Sequence, residues 1–182
     1  MKIGVCGAPS SGKTSLCNSL RGSISGSRES VMEYARYYIE RCGPIESLYE
    51  QYLITNKQFE MEKRLNEKYD TIFVDSPAFM GFIYSSLNAD ISNKKHRELL
   101  RHIFEIAIED ITTFDRIYFV PFAQLIDDKI RVQNEGDCKK INDAIKSFLS
   151  VYAENLSVFV PKLDFQHQLE FVVSDFKGVS NG

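Results

Sequence analysis

The stretch "IGVCGAPSSGKTSL", Ile3 to Leu16, limits what this chain can be more than any other. Lys2 to Cys6 is a short apolar run that reads as a strand, and Gly12 to Leu20 reads as a helix. Between them Gly7, Gly12, Lys13 and Thr14 satisfy G-x-x-x-x-G-K-[ST]. Glycines at those places let the backbone curl around an anion with its N–H groups turned inward, while the helix N-terminus adds a favourable field. Gly7, Ala8, Ser10, Ser11, Gly12, Lys13, Thr14 and Ser15 are therefore expected to cradle a nucleotide. Lys13 reaches its β- and γ-phosphates, and the Thr14 hydroxyl ligates the Mg²⁺ they share, so ATP and Mg²⁺ are the expected cofactors.

Asp75 is the natural partner of this loop. It ends the apolar strand "TIFV" (Thr71 to Val74), so its carboxylate emerges at the edge of the sheet where ligands bind in such folds. There it can hold the metal directly or through water. A helix cap is the alternative, because Asp-Ser-Pro also opens a helix well.

Strand and helix signals alternate along the rest of the chain. After a polar loop from Arg21 to Ser30, which leads into a short strand, helical patterns run over Val31–Arg41 and Glu46–Lys68, split by Gly43-Pro44. Another spans about Ser92 to Ile111, "DRIYFVP" is a third strong strand, and polar Gln124 to Asp137 precedes a helix reaching about Ala153. "SVFVP" reads as the last strand, before a short terminal helix and a frayed tail, "KGVSNG". The alternation predicts an α/β domain with a mainly parallel five-stranded sheet, occupying residues 1–182 as one unit.

Composition narrows the partners. A net charge of −3 and a pI near 5.7 argue against a broad basic face of the kind that holds duplex nucleic acid. No run reaches the length of about 18 apolar residues that a membrane span needs, and the N-terminus lacks a secretory pattern. Cys6, Cys17, Cys42 and Cys138 are scattered without a Cys-x-x-Cys pair, which predicts a reducing, cytoplasmic home. His96 and His102 stand six apart on a predicted helix and His167 is isolated, so none reads as a metal ligand. "NKKHR" (Asn93 to Arg97) reads as a solvated helix start.

Several users of such a loop are disfavoured. A guanine switch needs D-x-x-G and a later N-K-x-D, whereas Ser-Pro-Ala follows Asp75, and "TNKQ" and "SNKKH" lack the second acid. Large hexameric ATPase modules carry further sensor segments that this sequence does not show. Kinases of small metabolites fit better. They need a group to take the attacking hydroxyl's proton, cations on the migrating phosphoryl group, and a lid that excludes water.

In this respect the chain resembles the P-loop kinases related to the nicotinamide riboside kinase domain of bacterial NAD-salvage proteins, an AAA-type ATPase/kinase family. The resemblance rests on "GAPSSGKTSL", "VMEYARYYIER" with its Glu-x-x-Arg, "QYLITNKQFEMEKRL" with an internal Gln, "YDTIFVDSPAFMGFIY", and "FDRIYFVPFAQLIDDKIRVQ". It covers most of the chain to about residue 135, and only the first segment is specific alone. It implies a P-loop NTPase-like three-layer sandwich with a small lid over about residues 123–137. It also implies that Glu33 and Arg36 face the substrate, that Arg131 is the lid arginine on the phosphates, and that Asp128 supports lid or substrate. Lys129 stands where the family has Gly, which adds a cation to the lid or alters its hinge.

The expected activity is ATP- and Mg²⁺-dependent phosphoryl transfer to a nucleoside-like or nucleotide small molecule, with Lys13, Asp75, Glu33 and Arg131 as catalytic groups. Glu33 and Asp75 compete for the base role. Two alternatives stand beside it. One is a kinase of a nucleic-acid 5′ end or of a modified (hydroxymethyl) base in DNA; the other is a regulatory ATPase module without kinase activity. Phe79, Phe82 and Tyr84 offer either an aromatic wall for a base or packing of a helix on the sheet. No membrane partner is expected, and a homodimer is left open.

Overall fold

The computed structural model of the protein describes residues 1–122 and 134–180, with side chains to residue 178. Among the described residues, five strands form one parallel sheet in the order β2-β3-β1-β4-β5. They are β1 (Lys2–Cys6), β2 (Arg28–Val31), β3 (Thr71–Asp75), β4 (Arg116–Phe119) and β5 (Ser157–Phe159). The connecting helices are α1 (Lys13–Ser23), α2 (Tyr34–Cys42), α3 (Leu48–Asn66), α4 (Met80–Asn88), α5 (Lys94–Ile111), α6 (Glu135–Tyr152) and α7 (Phe165–Ser180).

β1 is apolar at nearly every position because helices cover both faces of a parallel sheet. Every residue of β1 is buried. Alternation along the strands sorts two cores. Ile3, Val5, Phe73 and Tyr118 pack with Leu16 and Leu20 of α1 and Val172 and Phe176 of α7. Cys6, Ile72, Val74 and Phe119 face the other layer, with Phe79, Ile83, Ala107, Ile111, Ile145 and Phe148. The three-layer sandwich expected from the sequence is the observed one.

The chain leaves β1, travels outward to β2, returns to β3 beside β1, and then crosses to β4 on the other flank. Strand order therefore reverses at β1, and the crevice at its carboxyl end is where open α/β sheets bind ligands.

Several boundaries differ from the sequence reading. The helix expected from Val31 begins at Tyr34, because Arg28–Val31 pairs with Thr71–Val74 and Val31 is fully buried in the sheet. Parallel pairing outweighs a local helical pattern there. α3 starts at Leu48, where Ser47 and Glu50 form a reciprocal capping box. The terminal helix is long rather than short, and the tail expected to fray is helical through Ser180. Val172 and Phe176 bury its inner face, and Asp175 receives both Nε and Nη2 of Arg116, at 2.9 and 2.7 Å, and the Tyr118 hydroxyl. Most of the expected lid lies outside the described residues.

α4 crosses α3 so closely that a β-carbon on Gly81 would collide with the Thr55 side chain. Gly81→Ala is expected to destabilise the fold by about 1–3 kcal/mol in urea unfolding. Thr55→Ala in the same chain should recover part of that loss, which a double-mutant cycle will read as coupling.

Candidate active site

Gly7 follows β1 directly, and the main chain must turn there with no room for a side chain. A β-carbon on Gly7 would strike the Ser11 hydroxyl and the Val120 carbonyl oxygen. The turn is pinned by Val120 N–H on the Cys6 carbonyl at 2.8 Å and Ser11 N–H on the Ala8 carbonyl at 3.2 Å. Ser10 and Gly12 adopt left-handed φ values of 67° and 87°, so the loop curls before it enters α1. Ala8 packs into the core, Lys13 is buried, and Ser15 is exposed on the first helical turn. No acidic side chain occupies that turn, which leaves the positive end of α1 for an anion.

Lys13 and Thr14 point to two carboxylates. The Thr14 hydroxyl donates to Asp75 Oδ2 at 2.6 Å, and Lys13 Nζ stands 3.7 Å from Glu33 Oε2. Glu33 is the residue that precedes α2, yet its side chain does not cap that helix; it turns toward Lys13 instead. Burial pushes the Asp75 carboxyl above the ordinary carboxylate range, with Lys13 opposing and Glu33 adding to the shift. Arg36, in the first turn of α2, also lies within electrostatic reach of Asp75.

The other Asp75 oxygen, Oδ1, is buried without a hydrogen-bond partner among the described residues. A carboxyl group with a free buried oxygen, beside a threonine hydroxyl at the G-x-x-x-x-G-K-T loop, is a hard-oxygen donor set of the kind Mg²⁺ prefers. The residues present therefore fit that ion.

A narrow cleft continues from Glu33 between α3 and α4, lined by Gln51, Thr55, Ser76, Met80 and Tyr84 among others. Glu33, which meets Lys13, is among its lining residues. Tyr84 belongs to this cleft, whereas Phe79 and Phe82 do not. Phe79 stacks on Phe148 with centroids 5.7 Å apart, and Phe82 packs on Phe104 at 4.9 Å. Those two rings hold α4 on the layer below.

Beneath the cleft lies a polar network that sequence reasoning missed. Lys2 Nζ sits 2.8 Å from Glu62 Oε2 and donates to Asp110 Oδ1 at 2.7 Å and Thr113 Oγ1 at 2.8 Å. Glu62 Oε1 receives Ala78 N–H at 2.9 Å and Gln58 Nε2 at 3.0 Å. Asp110 Oδ2 receives Phe79 N–H at 2.9 Å, and Gln58 Oε1 receives Tyr34 N–H at 2.8 Å. Glu62 and Asp110 are wholly inaccessible and Lys2 is 2% exposed. Burial, reinforced by Asp110, pushes the Glu62 carboxyl well above the ordinary carboxylate range against the pull of Lys2. Burial opposes the Lys2 charge, but the two acids outweigh it and hold its pKa above the ordinary value. The network fixes both the start of α2, next to Glu33, and the turn between Asp75 and α4. The one available sequence signal was a lysine opening an otherwise apolar central strand.

The structure thus brings Lys13, Thr14, Asp75, Glu33 and Arg36 to one end of the sheet. Asp128 and Arg131 lie outside the described residues, as does Lys129. Among the described residues no cluster of three His, Cys, Asp or Glu side chains could hold a metal ion. His96 Nδ1 accepts the Asp90 N–H, and Asn93 caps α5 through Lys95 N–H, so "NKKHR" is the helix start expected of it. Among the described residues no helix is long and apolar enough to cross a membrane.

A G-x-x-x-x-G-K-T loop after the central strand of a parallel sheet, with an acidic residue on the next strand, is the arrangement of a P-loop α/β protein. The sequence matches the AAA domain family over residues 2–166, and the chain belongs to it. No curated protein matches the chain. Its fold is similar to that of a NadR protein in complex with NR (TM-score 0.76, 16% identity) and of a NadR protein in complex with NAD and AMP-PNP (0.79, 16%). All of this chain is covered in both, but only 50% and 49% of the NadR chains, so it spans about half their length. A deoxyadenosine kinase from M. mycoides has TM-score 0.70 at 12% identity, covering 98% of this chain and 100% of that one. The likeness is one of fold: the sheet and its layers match those of these proteins.

Lys2→Met is expected to destabilise the protein by about 3–5 kcal/mol, because it leaves two buried acids without their cation. The stability that neutral Glu62 contributes is complete below its unfolded pKa and is lost as pH rises through the raised folded value. The deficit of Lys2→Met should therefore be smallest in acid and grow toward neutral pH. Urea titrations at a series of pH values will measure it.

Proposed function

We propose that the protein is an ATP- and Mg²⁺-dependent kinase that phosphorylates a hydroxyl of a nucleoside-like small molecule. One observation carries the reading. Glu33 lines the cleft and at the same time stands 3.7 Å from the phosphate-loop Lys13, so a carboxylate sits where acceptor and phosphates would meet. The likeness of the fold to proteins named as deoxyadenosine kinase and thymidylate kinase supports the class.

In this reading the loop N–H groups and the α1 N-terminus bind the polyphosphate, and Lys13 offsets the charge on the transferred group. Thr14 and Asp75 would hold Mg²⁺, which supplies further charge neutralisation when bound. Glu33 takes the proton of the attacking hydroxyl while its oxygen forms the new bond to phosphorus and ADP leaves. Asp75 is less suited to that task, since one oxygen already accepts from Thr14 and the other, buried without a partner among the described residues, would be taken up in holding Mg²⁺. The acceptor would sit over the Glu33 end of the cleft, whose cavity is only about 30 Å³, and the loop would hold the donor, so most of the acceleration comes from positioning and charge.

ADP release with ATP and Mg²⁺ against nucleosides, nucleotides, nicotinamide riboside and short oligonucleotides, with product masses read in parallel, tests this. A nucleoside-type acceptor should stimulate turnover, and Lys13→Ala should cut it by about 100-fold or more. The reading fails if no acceptor is phosphorylated while ATP binding is intact, or if only oligonucleotides are.

A further inference from the structure

Ser76 is the residue after Asp75, and three of its properties do not fit a mere turn residue. Its φ is +56°, in the left-handed region that a side chain makes costly. It precedes Pro77, which further restricts its backbone. Its hydroxyl is buried without a hydrogen-bond partner among the described residues, and the residue is 6% exposed. Glycine would satisfy the same φ without strain, so the side chain is kept at a conformational cost.

The surroundings force this conformation. Ser76 N–H is held by the Val5 carbonyl at 3.1 Å, Ala78 N–H by Glu62 and Phe79 N–H by Asp110. With both flanks of the turn fixed, Ser76 is held among the residues that line the cleft, together with Glu33 and Gln51. It follows Asp75 in the chain, lines the cleft, and belongs to neither the phosphate loop nor the Glu-x-x-Arg segment.

We propose that the Ser76 hydroxyl is an acceptor-binding group that donates a hydrogen bond to a second oxygen of the substrate, beside the hydroxyl being phosphorylated. This rests on the reading of the cleft as a kinase acceptor site. The chemistry of the two side chains is complementary. An ionised Glu33 only accepts hydrogen bonds, whereas a serine hydroxyl both donates and accepts. Together they recognise an edge carrying two neighbouring oxygens, as a sugar ring or its diol presents, and they discriminate against an acceptor with a single isolated hydroxyl. A buried hydroxyl without a protein partner is then explained by the substrate that satisfies it.

Ser76→Gly separates the hydroxyl from the backbone, because it removes the first and relieves the second. With the acceptor found by the ADP-release panel, Ser76→Gly is expected to keep or raise Tm and to leave the Kd for ATP with Mg²⁺ within about 2-fold. Its kcat/KM for the acceptor should fall roughly 3- to 20-fold, the value of one neutral hydrogen bond. Ser76→Ala should show the same loss in kcat/KM with a Tm below that of Ser76→Gly, since it keeps the strain that glycine relieves. Unchanged kcat/KM in both variants overturns the proposal and leaves the kinase reading intact. A wild-type protein that phosphorylates nothing in the panel overturns both together.

Discussion

The buried ammonium of Lys2 is the interaction on which the site depends. It opens the central strand and meets Glu62 from α3 and Asp110 from α5 at 2.8 and 2.7 Å, so one side chain joins three elements. Taking these groups out of water is costly, and the geometry offsets that cost only because nearly every polar atom finds a partner. The acids spend their other lone pairs on Ala78 and Phe79 N–H, which begin α4. Through Gln58 the same cluster reaches Tyr34 N–H, the bond next to Glu33. Two loops that carry side chains into the cleft are thus fixed from below by one buried charge cluster.

That arrangement lets the exposed end of the sheet carry electrostatic conflict. Asp75 is buried, displaced upward in pKa and only half satisfied by Thr14. Lys13 leans toward Glu33 rather than into solvent, and Ser10 and Ser76 hold left-handed backbone conformations. Strain and unmet polar atoms gather at functional sites because a ligand can relieve them. Here they surround the point where a phosphate loop, an acid and a cleft converge.

The motif from Gly7 to Thr14 was readable in sequence because its chemistry is local: glycines, lysine and threonine at fixed spacing next to a strand. Asp75 followed from its place at the end of an apolar run. β2 was harder, since Arg28–Val31 becomes a strand only through pairing with β3, and no local pattern separates it from the helix that follows. The Lys2–Glu62–Asp110 cluster was out of reach for a related reason. Glu62 and Asp110 lie 60 and 108 positions from Lys2, and each of the two alone looks like an ordinary surface charge. Ser76 shows its meaning only in a φ angle and an unpartnered hydroxyl. Tertiary contacts, not composition, decided all three.

In the proposed kinase Glu33 serves the acceptor and not the nucleotide. The most direct test of that role is Glu33→Gln, with the Kd for ATP and Mg²⁺ measured by calorimetry beside the turnover of the phosphorylated acceptor. A nucleotide Kd within about 3-fold of wild type and a kcat lowered by about 100-fold or more are expected, as loss of a general base implies. Equal weakening of nucleotide affinity with little change in kcat would contradict that role, and would make Glu33 a partner of Lys13 alone.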